Sequence, residues 1–390
     1  VAFVFKSQVE QHIGEITYFR VIRGRIAEGT ELVNTRTGNK EKISQLFAVA
    51  GKNRIKVTEL SAGDIGCTVK LKGTRTNDTL SAPSAPVSIE PIVFPEPRYR
   101  AAVKAKEQSD EEKLGKVLND AKFEDPTILV EYSKELKQTI IQGQGEHHLN
   151  ILRTRIEKEN KLSYDYIAPK IPYRETIAGT AEARYRHKKQ SGGAGQFGEV
   201  ALRVEALERG AGLQFADEVK GGTIPGNYMP AVEKGVMQAL EEGVLAGFPL
   251  QDVRVVVFDG KHHAVDSNEI SFVTAARHAV QEAAQAAKPI VLEPLITLSV
   301  RVADEHFGGI SAELSGRRGR VTGTDSPQPG WTEITSQVPM AEMDGFESRL
   351  KSISGGDGSC SIAFSHYEPA PFEVQQRLAK EHVGKRGGEQ

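Results

Sequence analysis

Between Val1 and about Ala82, apolar residues recur at every second position in short runs that turn residues separate. This alternation predicts half-buried strands, and closely spaced glycine turns are typical of a small antiparallel barrel. The runs are AFVFKS, GEITYFRVIRG, ELVNTRTGNKEKISQLF and CTVKLKG, with turns at Gly24, Gly29, Gly38–Asn39, Gly51, Gly63–Asp64 and Gly73. We therefore predict a β-barrel in residues 1–90, which ends in a stiff, proline-rich connector over Ser81–Pro97.

From Arg98 the pattern changes to strands that alternate with amphipathic helices. Ser109 and the acids that follow it predict the start of one helix, and Gly145 precedes a second. The resulting order in residues 91–168 is β-α-β-β-α-β, the split βαβ or ferredoxin-like α+β sandwich. The same order returns in residues 292–371, so the chain carries two copies of one architecture.

The segment between these copies, residues 169–291, predicts a mixed α/β domain. It contains a strand pair, the helix PAVEKGVMQALEEGV, the strand VRVVVFD and the helix SFVTAARHAVQEAAQ. Ser267 or Asn268 is in position to cap the last helix. Residues 372–390 form a tail that is predicted to begin as a helix and to fray into GKRGGEQ.

The stretch KKQSGGAGQFGEV carries Gly193, Gly195 and Gly198 in the spacing of the dinucleotide fingerprint G-x-G-x-x-G. That fingerprint requires a helix to open at its last glycine. Here EVALRVEAL follows, with the alternation of a strand, so the glycines are expected to join two strands as a hairpin tip. Glycine keeps such a tip slim and permits positive φ. A cofactor-binding loop is the alternative.

Positive charge lies beside this tip, on Arg184, Arg186, His187, Lys188 and Lys189. Cations that flank a glycine-rich tip let an RNA backbone approach, and a solvated hairpin is the alternative.

A second polar loop, DGKHHAVDSNE, contains His262 and His263, and another histidine pair lies at His147 and His148. Adjacent histidines without a nearby third ligand do not make a metal site, so we predict no metal.

The turn GRRGR joins a predicted helix to a strand. We expect Arg317, Arg318 and Arg320 to expose three guanidinium groups, which pair bidentately with phosphate. The alternatives are an RNA contact and a plain surface turn. The sequence has no P-loop, no Ser-His-Asp layout and no paired-carboxylate spacing, so we predict no catalytic residue.

Composition excludes a global attraction to nucleic acid, because the formal net charge of the 390 residues is −2. Two cysteines far apart, Cys67 and Cys360, fit a reducing compartment, and neither a membrane span nor a signal peptide is evident. A cytoplasmic protein is expected. The first residues, VAFVFKSQVE, are typical of the middle of a strand, so the chain is expected to be a piece of a longer one.

Several long motifs in order resemble elongation factor G, the translocase of bacterial and organellar ribosomes. They are GDIGCTVKLKGTRTNDTL, EDPTILVEYSKELKQTIIQGQGEHHLNIL, PYRETI, QSGGAGQFGEV, GGTIPGNYMPAVEKGVMQALEEGVLAGFPLQDVRVVVFDGKHHAVDSNEISF, GRRGR and VPMAEMDGFESRLKSISGG. The resemblance covers nearly the whole chain, without the family's GTPase domain. It implies domains II to V, with 169–291 as an α/β arm domain of ribosomal-protein-like type.

The resemblance also implies roles for particular residues. The arm would enter the decoding region of the small subunit through a tip built from the loops Gln190–Gly198 and Gly260–Asp266, where His263 would contact transfer RNA and messenger. The arginine turn would face ribosomal RNA at the stalk base of the large subunit. The implied RNA-binding residues are Lys188, Lys189, Gln190, Ser191, Gly192, Gly193, Gly195, Gln196, His262, His263, Asp266, Arg317, Arg318 and Arg320.

The implied partners are the ribosome (ribosomal RNA of both subunits and proteins at the stalk base), transfer RNA and messenger RNA, with no membrane and a monomeric chain. No cofactor is implied in this chain, because GTP and Mg²⁺ would bind the GTPase domain. The tip departs from the family at Ala194, Phe197 and Ala264, where arginine, tyrosine and aspartate are usual. These departures leave open an elongation factor G-like paralogue in ribosome recycling or protection. A nucleotide-dependent enzyme and a protein-binding adaptor are the other hypotheses.

Overall fold

The computed structural model describes residues 1–10, 12–51, 53–189 and 195–387, the last four of them through the backbone alone. The chain divides into two compact units, Val1–Lys170 and Ile171–Gln390.

The first unit begins with an antiparallel sheet. Its strands are β1 (Ala2–Glu10), β2 (Gly14–Val21), β3 (Arg25–Ala27), β4 (Glu31–Asn34), β5 (Lys40–Lys42), β6 (Phe47–Ala50), β7 (Asn53–Lys56), β8 (Glu59–Ser61), β9 (Ile65–Val69) and β10 (Thr79–Ser81). Eight of them pair antiparallel in the order β5-β4-β10-β1-β2-β9-β6-β7, and β3 pairs with β8. The ladder does not close between β5 and β7 in the part of the chain that the structure describes, so it is a half-barrel sheet. The closed barrel stays a prediction.

A buried carboxylate holds the loop that leads into β10. The carboxylate of Asp78 accepts hydrogen bonds from the guanidinium of Arg36, the amide of Asn34 and the backbone N–H of Arg75. Burial acts to raise the pKa of Asp78, but these donors outweigh it, and the pKa lies below the usual value. The ionised form of Asp78 therefore stabilises the fold.

Two details of this region differ from the sequence pattern. The strand predicted over 67–73 ends at Val69, because Lys70 has a φ of 60°. The proline-rich connector begins with a turn, in which Ala85 donates its N–H to the carbonyl oxygen of Ala82 at 3.2 Å. It is bonded to the half-barrel: Ile89 donates its N–H to Thr79 Oγ1 at 3.0 Å, and Ile92 and Asn77 exchange two hydrogen bonds.

The rest of the first unit has the predicted β-α-β-β-α-β order. The elements are β11 (Tyr99–Ala105), α1 (Glu111–Glu124), β12 (Leu129–Ser133), β13 (Gln138–Gly143), α2 (Glu146–Asn160) and β14 (Tyr164–Ile167). The antiparallel sheet has the order β12-β13-β11-β14. The two helices bury their apolar faces on it through Leu114, Leu118, Leu149, Leu152 and Ile156.

The second unit begins with the strands and helices that carry the predicted tip. They are β15 (Arg174–Ile177), β16 (Ala181–Lys189), β17 (Gln196–Ala206), β18 (Leu213–Asp217), α3 (Met229–Glu242), β19 (Val253–Lys261) and α4 (Glu269–Ala286). Strands β16-β17-β19-β18 form one sheet in this order, with β18 parallel to β19. Both helices pack on it around a core that includes Val200, Val204, Val236, Val255 and Phe272.

The rest of the second unit contains a second sheet and three helices. The elements are β20 (Pro289–Ala303), α5 (Phe307–Gly316), β21 (Arg320–Gln328), β22 (Trp331–Pro339), α6 (Phe346–Ile353), β23 (Ser359–Pro369) and α7 (Phe372–Gly387). The strand order of this sheet is β15-β20-β22-β21, and β23 pairs with the edge of β20 opposite to β22. The first residues of β20 pair with β15 and the later ones with β22, so one strand runs through the predicted boundary between 291 and 292. The order of strands and helices from β20 to β23 repeats that of residues 91–168.

Two predicted helices differ in extent. The helix expected over 341–353 is a 3₁₀ turn at Met340–Met343 followed by α6, because Gly345 between them has a φ of 67°. Helix α7 continues through residues 384–387, where fraying was predicted.

A second buried carboxylate fixes the loop after α3. Glu175 on β15 is fully buried, and its two oxygens accept hydrogen bonds from four backbone N–H groups at 2.7 to 3.1 Å. The donors are Val244, Leu245, Ala246 and Phe248. Because a buried charge is tolerated only when it is hydrogen-bonded, Glu175 and this loop depend on each other.

Candidate RNA-binding tip

The sheet brings the two predicted tip loops to one edge. Strands β16 and β17 pair from Ala181 and Val204 up to Lys189 and Gln196, which confirms the hairpin. Strand β17 also pairs with β19, with Glu199 opposite Lys261. The loop before Gln196 and the loop after Lys261 therefore leave from the same end of neighbouring strands.

Direct contacts join these loops. Phe197 donates its N–H to the carbonyl oxygen of Asp266 at 2.8 Å, and the Ser267 hydroxyl donates to the carbonyl oxygen of Phe197 at 3.0 Å. The rings of Phe197 and His263 lie 6.1 Å apart between centroids. Gly195 and His263 thus belong to one cluster. Gln190, Ser191, Gly192, Gly193 and Ala194 lie outside the described residues.

The described glycines of the tip are closely packed. A Cβ on Gly195 would lie 2.5 Å from Asp266 Oδ1, and one on Gly198 would lie 3.0 Å from the backbone oxygen of Ser271. Gly260 is tighter still, at 2.4 Å from the Glu199 carbonyl oxygen. None of these three has the positive φ that was expected of tip glycines. They let loop, strand and helix approach each other, and a strand rather than a cofactor-binding helix follows Gly198.

His263 is held by its own loop with its ring half exposed. The backbone N–H of His263 donates to Ser267 Oγ at 2.8 Å, and the backbone N–H of Ser267 donates to the His263 carbonyl oxygen at 3.2 Å. The side chain is 54% exposed, which leaves ring atoms available to a ligand.

Asn268, one of the two predicted caps, is the cap of α4. Its Oδ1 accepts the Ser271 N–H at 2.9 Å. Ser267 is engaged in the loop instead.

The histidine neighbours have structural partners. His262 is exposed, and its Nδ1 lies 3.2 Å from the carbonyl oxygen of Thr223, to which a protonated nitrogen donates. In α2, His148 Nδ1 accepts the Gln144 N–H at 3.1 Å, and its Nε2 lies 3.1 Å from Asp125 Oδ2. No group of three potential metal ligands occurs among the residues that the structure describes.

Ion pairs neutralise part of the basic arm. Arg184 donates to Glu199 at 2.8 Å and to Asp259 at 2.5 Å, and Arg186 also donates to Glu199. Burial acts to raise the pKa of Glu199, but the two arginines outweigh it and the pKa lies below the usual value. Neither carboxylate was predicted from the sequence, although the pairing of Arg186 with Glu199 follows from the hairpin register.

The cations that remain exposed at the tip are lysines. Lys188 and Lys189 end β16, and Lys261 ends β19 at the same edge. All three are exposed, and none makes an ion pair within the described part of the chain. Gln196 lies opposite Lys189, and its Oε1 accepts a hydrogen bond from His187 Nε2–H at 2.9 Å.

Two of the three guanidinium groups of the arginine turn form ion pairs, and one forms none within the described part of the chain. Arg317 is 19% exposed and bonds to Glu313 and to two backbone carbonyl oxygens. Arg318, at a φ of 57°, makes two hydrogen bonds to the buried Glu293 at 2.7 and 2.9 Å and a third to Glu342. These carboxylates raise its pKa. Arg320 is exposed at the start of β21 and is the available cation of this turn.

Comparisons with known proteins agree with this architecture. Four family models match in order along the chain: Elongation factor G domain 2 at 1–83, Elongation Factor G, domain III at 94–166, Elongation factor G, domain IV at 169–288 and Elongation factor G C-terminus at 290–378. The chain therefore belongs to the elongation factor G family and contains its domains II, III, IV and V. None of the four models is a GTPase domain.

Two relatives show how much of such a protein is present. An Elongation factor G-like protein of Thermotoga maritima is 40% identical over 380 residues, which are 97% of this chain and 56% of the relative. A crystal structure of a protein from Thermus thermophilus superposes with a TM-score of 0.84 at 33% identity, covering 98% of this chain and 57% of that one. The chain thus spans a little over half the length of each. Among the described helices, none is long and apolar enough to cross a membrane.

Proposed function

We propose that this chain is the ribosome-binding part of an elongation factor G-type protein and promotes movement of transfer RNA and messenger RNA. The observation that carries the proposal is the tip, where two loops of the domain IV match meet and present His263 beside exposed lysines. The tip would enter the decoding region of the small subunit. Such a factor acts in the cytoplasm, and we expect the chain to be a monomer.

The arm acts as a steric and electrostatic wedge in this proposal. Strand β17 of the hairpin is central in its sheet and packs closely against α4, where a Cβ on Gly198 would lie 3.0 Å from the backbone of Ser271. A rigid arm that occupies a vacated site biases the direction of movement, because it binds one arrangement of the RNA better than the other. The lysines supply attraction to phosphates that weakens with salt.

The other parts support binding elsewhere on the ribosome. Arg320 is proposed to contact ribosomal RNA at the stalk base, and Arg317 and Arg318 to shape the turn that presents it. We also propose that the two β-α-β-β-α-β parts are ferredoxin-like sandwiches, that the half-barrel belongs to a closed barrel and that 169–291 is of ribosomal-protein-like type.

Nucleotide chemistry does not belong to these residues. The phosphate-binding pattern G-x-x-x-x-G-K-[ST] does not occur in the sequence, and the glycine loop leads into a strand. GTP and Mg²⁺ would be held by a GTPase domain outside this chain and would set the timing of the movement.

Binding of the chain to bacterial 70S ribosomes tests the proposal. We expect saturable binding. The logarithm of the association constant should fall linearly with the logarithm of the salt concentration. The double variant Lys188→Gln/Lys189→Gln should lower the slope by about one to two, as expected for the loss of two phosphate contacts. Lys116→Gln/Lys122→Gln, two exposed lysines of α1, is the matched control. Binding that is absent, or equally salt-dependent in both variants, contradicts the proposal.

A role in subunit splitting or ribosome protection is the second candidate. It is favoured by Ala264, which is exposed beside His263 and lacks the acid usual in the family. The chain joined to a GTPase domain should be tested for single-turnover translocation and for subunit splitting. We expect translocation, slowed severalfold or more by His263→Ala. Splitting without translocation would select the second candidate. Titration calorimetry with a dinucleotide should show no binding.

A further inference from the structure

The sheet β16-β17-β19-β18 has a polar face opposite to α3 and α4, which we call the open face. Val200, Leu202 and Val204 of β17 point into the core with the two helices. Because side chains alternate along a strand, the residues between them lie on the open face. The strand registers place four arginines on this face: Arg184 and Arg186 of β16, Arg203 of β17 and Arg254 of β19.

Two of these arginines form a neutral cluster with two carboxylates near the tip. Arg184 donates to Glu199 Oε1 at 2.8 Å and to Asp259, and Arg186 donates to Glu199 Oε2. The hydrogen bond from Arg184 lowers the pKa of Asp259, and the pKa of the buried Glu199 also lies below its usual value. Both carboxylates are therefore ionised at neutral pH, and the four charges sum to zero.

A second neutral cluster lies farther from the tip on the same face. Arg203 donates to Glu205 Oε1 at 2.6 Å, and its guanidinium lies 3.8 Å from a carboxylate oxygen of Glu218. The guanidinium of Arg254 lies 3.8 Å from the other oxygen of Glu205. Two arginines again meet two carboxylates, so every arginine of the open face has a carboxylate oxygen within 4 Å.

The free positive charge of the open face is thus confined to its tip end. Lys188 and Lys261 lie there, and neither forms an ion pair among the residues that the structure describes. The pairing matters because RNA phosphates attract exposed cations whatever the base sequence. A paired guanidinium has already neutralised its charge, and the carboxylate beside it repels phosphate.

We propose that Glu199, Asp259, Glu205 and Glu218 are specificity-determining residues, which neutralise the four arginines so that the arm attracts RNA phosphates only at its tip. The part that this plays in RNA movement rests on the proposed function, whereas the neutralisation rests on the ion pairs alone. An arm that attracted phosphates along its whole length would adhere to any RNA beside it, because such binding is independent of sequence. The cross-strand pairs also stabilise the sheet that carries the tip.

The first test measures binding of the chain to a polyuridylate oligonucleotide at several salt concentrations. The variant Glu199→Gln/Asp259→Asn keeps an oxygen acceptor beside each arginine but leaves the cations unneutralised. We expect its association constant at about 0.1 M salt to rise about 5- to 25-fold, and its salt slope to steepen by about 0.7–1.4, for one or two new phosphate contacts. The matched control is Glu233→Gln/Glu241→Gln at exposed positions of α3, which changes the net charge equally and should leave the slope unchanged.

The second test removes both partners of the near-tip cluster. A variant that replaces Arg184, Arg186 and Glu199 by glutamine and Asp259 by asparagine keeps the net charge of the natural chain. Its affinity for polyuridylate should stay within about twofold of the natural value, because the paired arginines supply no free cation. Lys188→Gln/Lys189→Gln should instead flatten the slope by about 0.7–1.4.

An independent variant tests the second cluster, should the near-tip variants fail to fold. The side chains of Glu205 and Glu218 are 24% and 47% exposed, so Glu205→Gln/Glu218→Gln perturbs little packing. It should steepen the salt slope in the same way, because it leaves Arg203 and Arg254 unneutralised.

Two results would overturn the proposal. One is a salt slope for the acid-to-amide variants that is no steeper than the slope of the α3 control. The other is a net-neutral variant that binds polyuridylate as weakly as Lys188→Gln/Lys189→Gln, which would show that the paired arginines already bind phosphate. These measurements need no ribosome. If the chain does not bind 70S ribosomes, the proposed function fails, while the oligonucleotide still decides whether the acids neutralise the arm.

Discussion

Replacement of Glu175 by glutamine should destabilise the second unit strongly. The glutamine side chain keeps one oxygen acceptor but turns an NH₂ group toward two of the four N–H donors that the carboxylate binds. Two charge-assisted hydrogen bonds are lost and two buried donors are left unsatisfied. With roughly 1.5–3 kcal/mol for each such bond, we expect the free energy of unfolding to fall by about 3–6 kcal/mol.

Thermal unfolding and hydrogen exchange measure this effect. A loss of that size should lower the Tm of the second unit by about 6–24 °C, at about 2–4 °C for each kcal/mol. Exchange should accelerate at the amides of Val244 and Leu245 or at those of Ala246 and Phe248, according to which oxygen is replaced. Glu233→Gln, at an exposed position of α3, is the matched control. A Tm within about 2 °C of the natural chain would refute the reasoning that this carboxylate holds the loop.

Four further changes have defined outcomes. The pKa of Asp78 is lower in the folded than in the unfolded protein, so the ionised carboxylate stabilises the fold. This contribution is complete above the unfolded pKa of about 3.9 and is lost as the pH falls through the lower folded pKa. Unfolding by denaturant at pH 7 and below should show this loss. Gly198→Ala should cost about 1–3 kcal/mol in chemical unfolding, because its Cβ meets the backbone of α4. Arg318→Ala should lower stability by about 2 kcal/mol or more, because the buried Glu293 loses its partner. Arg320→Ala should lower the salt slope of ribosome binding and leave stability unchanged.

Each of these predictions has its own control. Asp78→Asn should remove the acid-dependent part of the stability, and an unchanged pH profile would show that another group titrates. Gly226→Ala, with nothing within 4 Å of the added Cβ, is the partner of the Gly198 variant, and equal stabilities would contradict the packing argument. The Arg318→Ala and Arg320→Ala variants are controls for each other. Loss of stability in Arg320→Ala together with a lower salt slope in Arg318→Ala would show that the structural and ligand-facing roles were assigned the wrong way round.

Local patterns were enough to predict most strands and helices. The hairpin that carries the glycine loop follows from alternation around Tyr185 and Leu202, and the cap of α4 follows from the residue types before it. Both depend on neighbours in sequence. The element order of residues 98–167 and 294–367 was predicted for the same reason.

Contacts between distant residues could not be read from the pattern. The use of Glu199 as the partner of two arginines depends on side chains of β16 and β17 that the pairing brings together. The engagement of Arg318 by Glu293 depends on a turn that folds back on β20. Charge alone therefore overestimated the free cations at both places. The tip glycines were assigned to backbone freedom, whereas Gly195, Gly198 and Gly260 lack positive φ and are closely packed, which only the fold reveals.

The most direct test of the account is the position of the tip on the ribosome. Val265 is 84% exposed in the His263 loop, so a hydroxyl-radical source can be attached to Val265→Cys in a chain whose Cys360 is replaced by serine. Cleavage of ribosomal RNA should be concentrated in the decoding region of the small subunit, and a source at Thr324→Cys on β21 should give a different pattern. Cleavage from Val265→Cys that is absent from the decoding region, with the chain bound, would contradict the account.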